Sequence, residues 1–139
     1  MKNFIIFFIL LFPLAVFPQS RDEIGVRATF EQSLESWNAG DLDGYMDTYD
    51  KSDSILFINK SLIAYGWKDA NETFRKAFPT KESMGKLTLT IKAAKQLSKD
   101  FWLVVGSFQV ERGKDSFGGN FSDLVQKIKG KWKVVVDHS

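Results

Sequence analysis

Few side chains in this chain can do chemistry. The single histidine, His138, is the penultimate residue, and Asp137 precedes it. Imidazole alone titrates near neutrality when unperturbed, so His138 is the natural general acid or base. A plainer reading stands beside it, a hydrogen bond near the C-terminus that helps strand-end or dimer packing. Tyr45, Tyr49 and Trp37 carry a hydroxyl or N–H on an otherwise apolar helical face, which suits contact with an aromatic or lipid-like ligand. Core packing is the competing account, and Trp67, Phe74 and Phe78 pose the same choice. The absence of cysteine removes disulfides, thiolate metal sites and a cysteine nucleophile. One histidine cannot make a two-histidine metal site or a mid-chain His-Ser-Asp triad. The pairs Asp41/Asp43 and Asp50/Asp53 lack the ligand count of a calcium loop, and Gly118-Gly119 follows a hairpin rather than opening a helix. No metal and no cofactor are expected.

These residues must be positioned by a small number of elements. Ser20-Arg21-Asp22-Glu23 has the form of a capping box, and Val26, Phe30, Leu34 and Trp37 then recur at helical spacing. Gly40 stops this helix, and Asp41 can cap a short second one bearing Leu42, Tyr45, Met46 and Tyr49 on one side. Residues 54–59 and 62–65 read as strands around an Asn59-Lys60-Ser61 turn. Gly66 punctuates, and Ala70, Phe74, Ala77 and Phe78 define a third helix closed by Pro79. Residues 87–94, 101–112, 117–129 and 132–139 read as four further strands. Helices first and a long meander afterwards argue for an α+β fold, three N-terminal helices packed on a strongly curved antiparallel sheet. Such a bent sheet, closed by helices, leaves a conical cavity.

Simple alternation along the last strand groups Trp132, Val134, Val136 and His138 on one face, opposite Lys133, Val135, Asp137 and Ser139. The first set is the apolar one, so it is expected to face the helices, with Trp132 and His138 at the pocket or its rim. Asp137 then points away and reads as a structural acceptor, capping a turn or pairing across an interface. On residues 101–112 both faces begin apolar, which points to a second subunit over the outer face and hence a homodimer through the sheet.

The first twenty residues are a separate object. A basic start, Met1-Lys2-Asn3, precedes an uncharged apolar run over 4–17, too short for a membrane span and suited to a signal-peptide core. Residues 1–20 are therefore expected to be removed on export to the periplasm or exterior, leaving one domain over 21–139 and no stable membrane span. The remainder holds 18 basic and 17 acidic residues, scattered along the chain, which gives no electrostatic case for nucleic acid.

The run Trp37-Asn38-Ala39-Gly40-Asp41-Leu42-Asp43-Gly44-Tyr45-Met46 with Tyr49, the Gly66 that opens the third helix, and the ending Trp132-Lys133-Val134-Val135-Val136-Asp137-His138-Ser139 resemble the nuclear transport factor 2-like superfamily. They point to its SnoaL-like, domain-of-unknown-function 4440 branch, and the resemblance spans roughly 22–139. It implies a cone-shaped α+β domain, usually dimeric through the sheet, with a pocket at the wide end. Members range from ketosteroid isomerase, dehydratases and polyketide cyclases to domains that only bind or assemble, so the fold says little about chemistry. Two departures bear on it. Relatives often carry histidine at the position held here by Val136, and the strand that carries the isomerase base reads Ser54-Ile55-Leu56-Phe57-Ile58-Asn59, with no carboxylate. Asp53 precedes that strand and reads as a turn residue.

Three functional readings follow. The first is an exported domain that binds a small apolar or aromatic molecule through Trp37, Tyr45, Tyr49, Trp67, Trp132 and His138. The second is a dehydratase-, isomerase- or cyclase-type enzyme using His138. The third is a dimerisation or interaction module with a filled interior.

Overall fold

The computed structural model describes residues 19–139, so the apolar run assigned to a signal peptide lies outside the described residues. Helix α1 (Arg21–Ala39) starts where the Ser20 side chain accepts the Glu23 backbone N–H at 3.1 Å. The Glu23 carboxylate pairs with Arg27 at 2.8 Å, so the expected capping box forms by its hydroxyl half. One stripe of α1, containing Val26, Thr29, Phe30, Ser33 and Trp37, is buried. Gly40 ends the helix at φ 78°, a left-handed conformation that glycine adopts without the usual Cβ penalty. Asp41 then accepts the Gly44 N–H at 2.9 Å and opens α2 (Leu42–Met46), as its sequence position predicts.

Strands β1 (Leu56–Ile58) and β2 (Ile63–Tyr65) form the expected hairpin. Its turn is held by Asn59, whose side-chain oxygen accepts the N–H groups of Ser61 and Leu62. Helix α3 (Gly66–Ala77) follows. A fourth helical turn, α4 (Lys81–Met84), was not expected from the sequence; Thr80 and Ser83 cap it reciprocally, with serine where the usual signature has Glu or Gln. The meander consists of β3 (Lys86–Gln96), β4 (Phe101–Arg112), β5 (Asp115–Ile128) and β6 (Lys131–His138).

The six strands form one sheet in the order β2-β1-β6-β5-β4-β3. Every pairing is antiparallel except β1 with β6, which is parallel because the last strand of the meander returns beside the early hairpin. The expectation of an antiparallel sheet is corrected at that one junction. The sheet curves around the helices, and its ladders are broken by an extra residue at Lys92 in β3 and at Val135 in β6. Such bulges bend a strand and increase its twist.

The bulge in β6 overturns the simple alternation. Leu124 pairs with Val136 but Val125 pairs with Val134, so Val135 has no partner of its own and the faces exchange beyond it. Trp132 and Val134 point inward as expected; further on, Asp137 is buried and His138 exposed.

Two apolar clusters form the core among the described residues. One joins Trp37, Met46, Tyr49, Phe57 and Phe74 to Leu87, Val110 and Val134; the other joins Val26 and Phe30 to Trp102, Val104, Phe121, Val125 and Trp132. In the second, Gly106 leaves room for the Phe121 ring, since a Cβ there would stand 2.7 Å from it. Between the clusters and the sheet edge, the end of α1 is tied down by two adjacent side chains. Trp37 donates its indole N–H to the Met84 carbonyl at 3.0 Å. Asn38 both donates to the Leu87 carbonyl (3.0 Å) and accepts the Leu87 N–H (2.8 Å), completing on the open side of β3 the bonds a further strand would make. Replacing Asn38 with Ala leaves both backbone groups of Leu87 without these partners, and is expected to cost about 1–3 kcal/mol in urea unfolding. An unchanged unfolding free energy would show that the clamp contributes nothing.

Candidate functional site

Helices and sheet enclose a cavity of about 520 Å³. Its wall is largely aromatic: Phe30 and Trp37 come from α1, Tyr45 and Tyr49 from α2 and the turn after it, and Phe57 from β1. Phe74 and Phe78 come from α3 and its end, with Phe108 and Phe121 on the sheet. The rings lock one another in place, Trp37 meeting Tyr45 edge-on at 5.0 Å between centroids and Phe78 at 4.8 Å. Exposed Lys60 and Ser61, on the β1–β2 turn, lie on one side of its rim.

The wall of this largely apolar space carries a buried acidic pair. Asp123 on β5 and Asp137 on β6 are direct cross-strand partners, both buried and both on the cavity wall. The Tyr49 hydroxyl donates to Asp137 Oδ2 at 2.5 Å. With that proton committed, the 3.2 Å contact between the two phenols has Tyr45 donating to Tyr49. The relay therefore runs from Tyr45 through Tyr49 to Asp137. The remaining oxygens, Asp123 Oδ1 and Asp137 Oδ1, have no hydrogen-bond partner.

Electrostatics follow from this burial. Desolvation pushes the Asp123 carboxyl well above the ordinary carboxylate range; the Asp137 charge opposite adds to that, and the His138 backbone N–H partly offsets it. Asp137 is also raised by desolvation, opposed by its bonds from Tyr49 and Ser139 and by the nearby His138. Burial and the charge on Asp137 raise both tyrosines, so each phenol keeps its proton and acts as a donor. Two like acids facing each other across a strand pair in a dry site disfavour ionising together. The arrangement thus places two facing carboxyls, both raised, and a phenol on the wall of an aromatic chamber.

The sequence-derived site residues distribute unevenly. Trp37, Tyr45 and Tyr49 line the cavity. The Trp37 ring is wall, but its N–H is taken by Met84, so it offers a ligand only a surface. Trp67 lies off the wall, its N–H given to the Met46 carbonyl at 3.0 Å. Trp132 packs against α1, where a Cβ on Gly25 would come within 2.7 Å of its ring, and it does not reach this cavity. His138 is exposed and absent from the lining, so its placement at the pocket is corrected: the Val135 bulge turns it outward and turns Asp137, expected to point away, inward. Asp123 was not singled out from the sequence. Its signal is an acid alternating with Phe121 and Val125 on the face that becomes the core. Among the described residues, no group of three or more His, Cys, Asp or Glu side chains could hold a metal ion.

No protein-family model matches the chain, and no curated protein matches it. Solved structures do. A domain of unknown function with a cystatin-like fold from Nostoc punctiforme superposes with a TM-score of 0.72 at 19% identity, over 87% of this chain and 77% of that one. A ketosteroid isomerase-like protein from Erwinia carotovora atroseptica gives 0.67 at 16% identity, over 86% and 95%. At these identities the likeness is one of fold. An NTF-2-like protein of unknown function from Shewanella oneidensis is much nearer, 36% identical with a TM-score of 0.79, and the match covers 83% of this chain and 95% of that one. Helices wrapped by a curved six-stranded sheet, together with that degree of identity over nearly a whole relative, establish that the chain belongs to the nuclear transport factor 2-like family.

Proposed function

We propose that this protein binds a small, mainly apolar or aromatic molecule in the cavity, with the Asp123/Asp137 pair fixing its orientation. The observation that carries this reading is an aromatic chamber of about 520 Å³ with two buried, facing carboxyls on its wall. Volumes of about 300–1,000 Å³, apolar walls and a few convergent polar groups are the usual properties of small-molecule sites. The open chamber favours binding over the interaction-module reading, which needs a filled interior. The apolar leader at 1–20 supports export to the periplasm or exterior. Half-exposed Leu103, Val105, Leu124 and Val136 on the outer sheet face support a homodimer formed there.

A second reading is proton transfer on a molecule held in the same chamber. It is favoured by the paired carboxyls, one able to hold a proton and the other to take one. Its acid and base are then Asp123 and Asp137 rather than His138.

Two measurements test this. The neutral dye N-phenylnaphthylamine, which brightens in apolar surroundings, is expected to gain fluorescence saturably with the folded protein. Leu89→Trp, which adds bulk to the wall, is expected to weaken that binding about tenfold or more while circular dichroism stays unchanged. An absence of saturable binding by the wild type would sink the reading.

The second measurement concerns pH. Because both carboxyls are raised in the folded state, folding takes up protons at pH values where the unfolded acids are ionised. The stabilisation is complete below the unfolded value, about 3.9 for Asp, and is lost as pH rises through the higher folded value. The thermal midpoint of Asp123→Asn is therefore expected to gain on the wild type as pH is raised from about 4 to about 9. Groups that do not interact with Asp123 are common to both proteins and cancel in the difference, while Asp137, relieved of the charge opposite, adds to the gain. Parallel pH profiles would contradict the raised pair.

A further inference from the structure

Resting on the cavity-binding reading, we infer that the ligand is an organic cation: a protonated amine on an apolar or aromatic body, its N–H groups meeting Asp123 Oδ1 and Asp137 Oδ1. The argument begins with donors. Both oxygens are buried on residues only 6% exposed, both residues line the cavity, and neither oxygen has a partner. Buried acceptors without donors are costly, so this part of the chamber lacks something that carries N–H or O–H groups.

The surroundings leave both oxygens unpaired: Ser139 already acts on Asp137 and the His138 backbone N–H on Asp123, and no hydrogen bond joins the two carboxyls. The protons of Tyr45 and Tyr49 are already committed along the relay to Asp137 Oδ2. From α1, Thr29 donates to the Trp132 carbonyl and Ser33 to the Phe30 carbonyl. On β4, the residue opposite Asp123 is Val104. His138 sits on the opposite face of β6 and acts on Asp137 only through space, and exposed Lys60 stands at the rim. Among the described residues, no lysine or arginine forms an ion pair with either acid.

The charge of the missing group follows from the walls. An anion would meet two acids with no cation to offset them. A neutral body without donors would leave both oxygens unpaired. An ammonium supplies up to three donors and a positive charge, and the π-faces of Trp37, Tyr45, Phe74 and Phe121 attract a cation further. Ionisation of the pair, disfavoured when the chamber holds no charge, is favoured when that cation enters.

The test is calorimetric titration of the wild type with naphthylethylamine, its neutral counterpart naphthylethanol and the anion naphthylacetate. At about pH 8 the amine is still charged, alkylammonium groups titrating near 10.4 as in lysine. The amine is expected to bind at least about tenfold tighter than the alcohol, with the acetate weakest. The preference is expected to shrink as pH falls to about 5 and the pair takes up its protons. Asp123→Asn and Asp137→Asn are expected to weaken amine binding about tenfold each and to change alcohol binding less than about threefold. Alcohol or acetate binding as tight as the amine overturns the inference and leaves the cavity reading standing. If none of the three binds, both fall. Should the Asn variants fail to fold, the amine-to-alcohol ratio of the wild type and its pH dependence decide alone.

Discussion

Side chains on a strand alternate strictly, so one additional residue near the end of β6 decides what the cavity contains. Without the bulge at Val135, Val136 and the only imidazole would close the chamber and the last acid would face outward. With it, Asp137 comes to lie opposite Asp123, and an acid sharing the wall with an imidazole becomes an acid facing an acid. The pairing of the two acids follows from that displacement. Tyr49 lies next to this strand, bridged to Val134 just before the bulge, and its hydroxyl reaches the carboxylate that the bulge delivers.

Placing two acids in an apolar interior is unfavourable unless they are neutralised or bonded. The fold offsets part of that cost with the phenol relay and with the backbone N–H of His138, and part by raising both carboxyls so that protonation is favoured. It leaves one oxygen of each acid unsatisfied. The contrast with the rest of the interior is instructive. The indole N–H groups of Trp37 and Trp67 and the hydroxyls of Thr29 and Ser33 all reach backbone carbonyls. The Trp102 indole N–H and the Asn71 side-chain oxygen are also buried without a partner, but neither residue lines the cavity, whereas the two half-paired acids do.

Much of the architecture was legible because its signals are local. Gly40 and Asp41 end one helix and begin the next through their own dihedrals and side chain, Asn59 builds its turn within three residues, and the meander strands carry clear alternation. What escaped depends on partners distant in sequence. The Val135 bulge exists only relative to the register of β5, so no pattern within β6 announces it. Trp67 and Trp132 look like Trp37 in type and spacing, yet they differ in which backbone and which helix they meet. The short α4 owes its form to Thr80 and Ser83 and to the Met84 carbonyl that Trp37 engages, too little for helical periodicity to register.

The bulge also changes what the two departures from the family pattern mean. Valine at position 136 looked like the loss of a polar group from the pocket, but that side chain pairs with Leu124 on the outer face and leaves the cavity untouched. It therefore carries no argument against acid–base capacity and bears instead on the apolar outer surface where a second copy is proposed. The missing carboxylate on β1 is different in kind. Phe57 occupies the inward position there and packs on Phe74 at 4.8 Å, so that side of the chamber is apolar. Acidity is thus concentrated on β5 and β6, where Asp137 pairs with Phe57 of the hairpin whose turn carries Lys60. A ligand of the proposed kind would lay its apolar body against the aromatic walls and its polar group against the two acids.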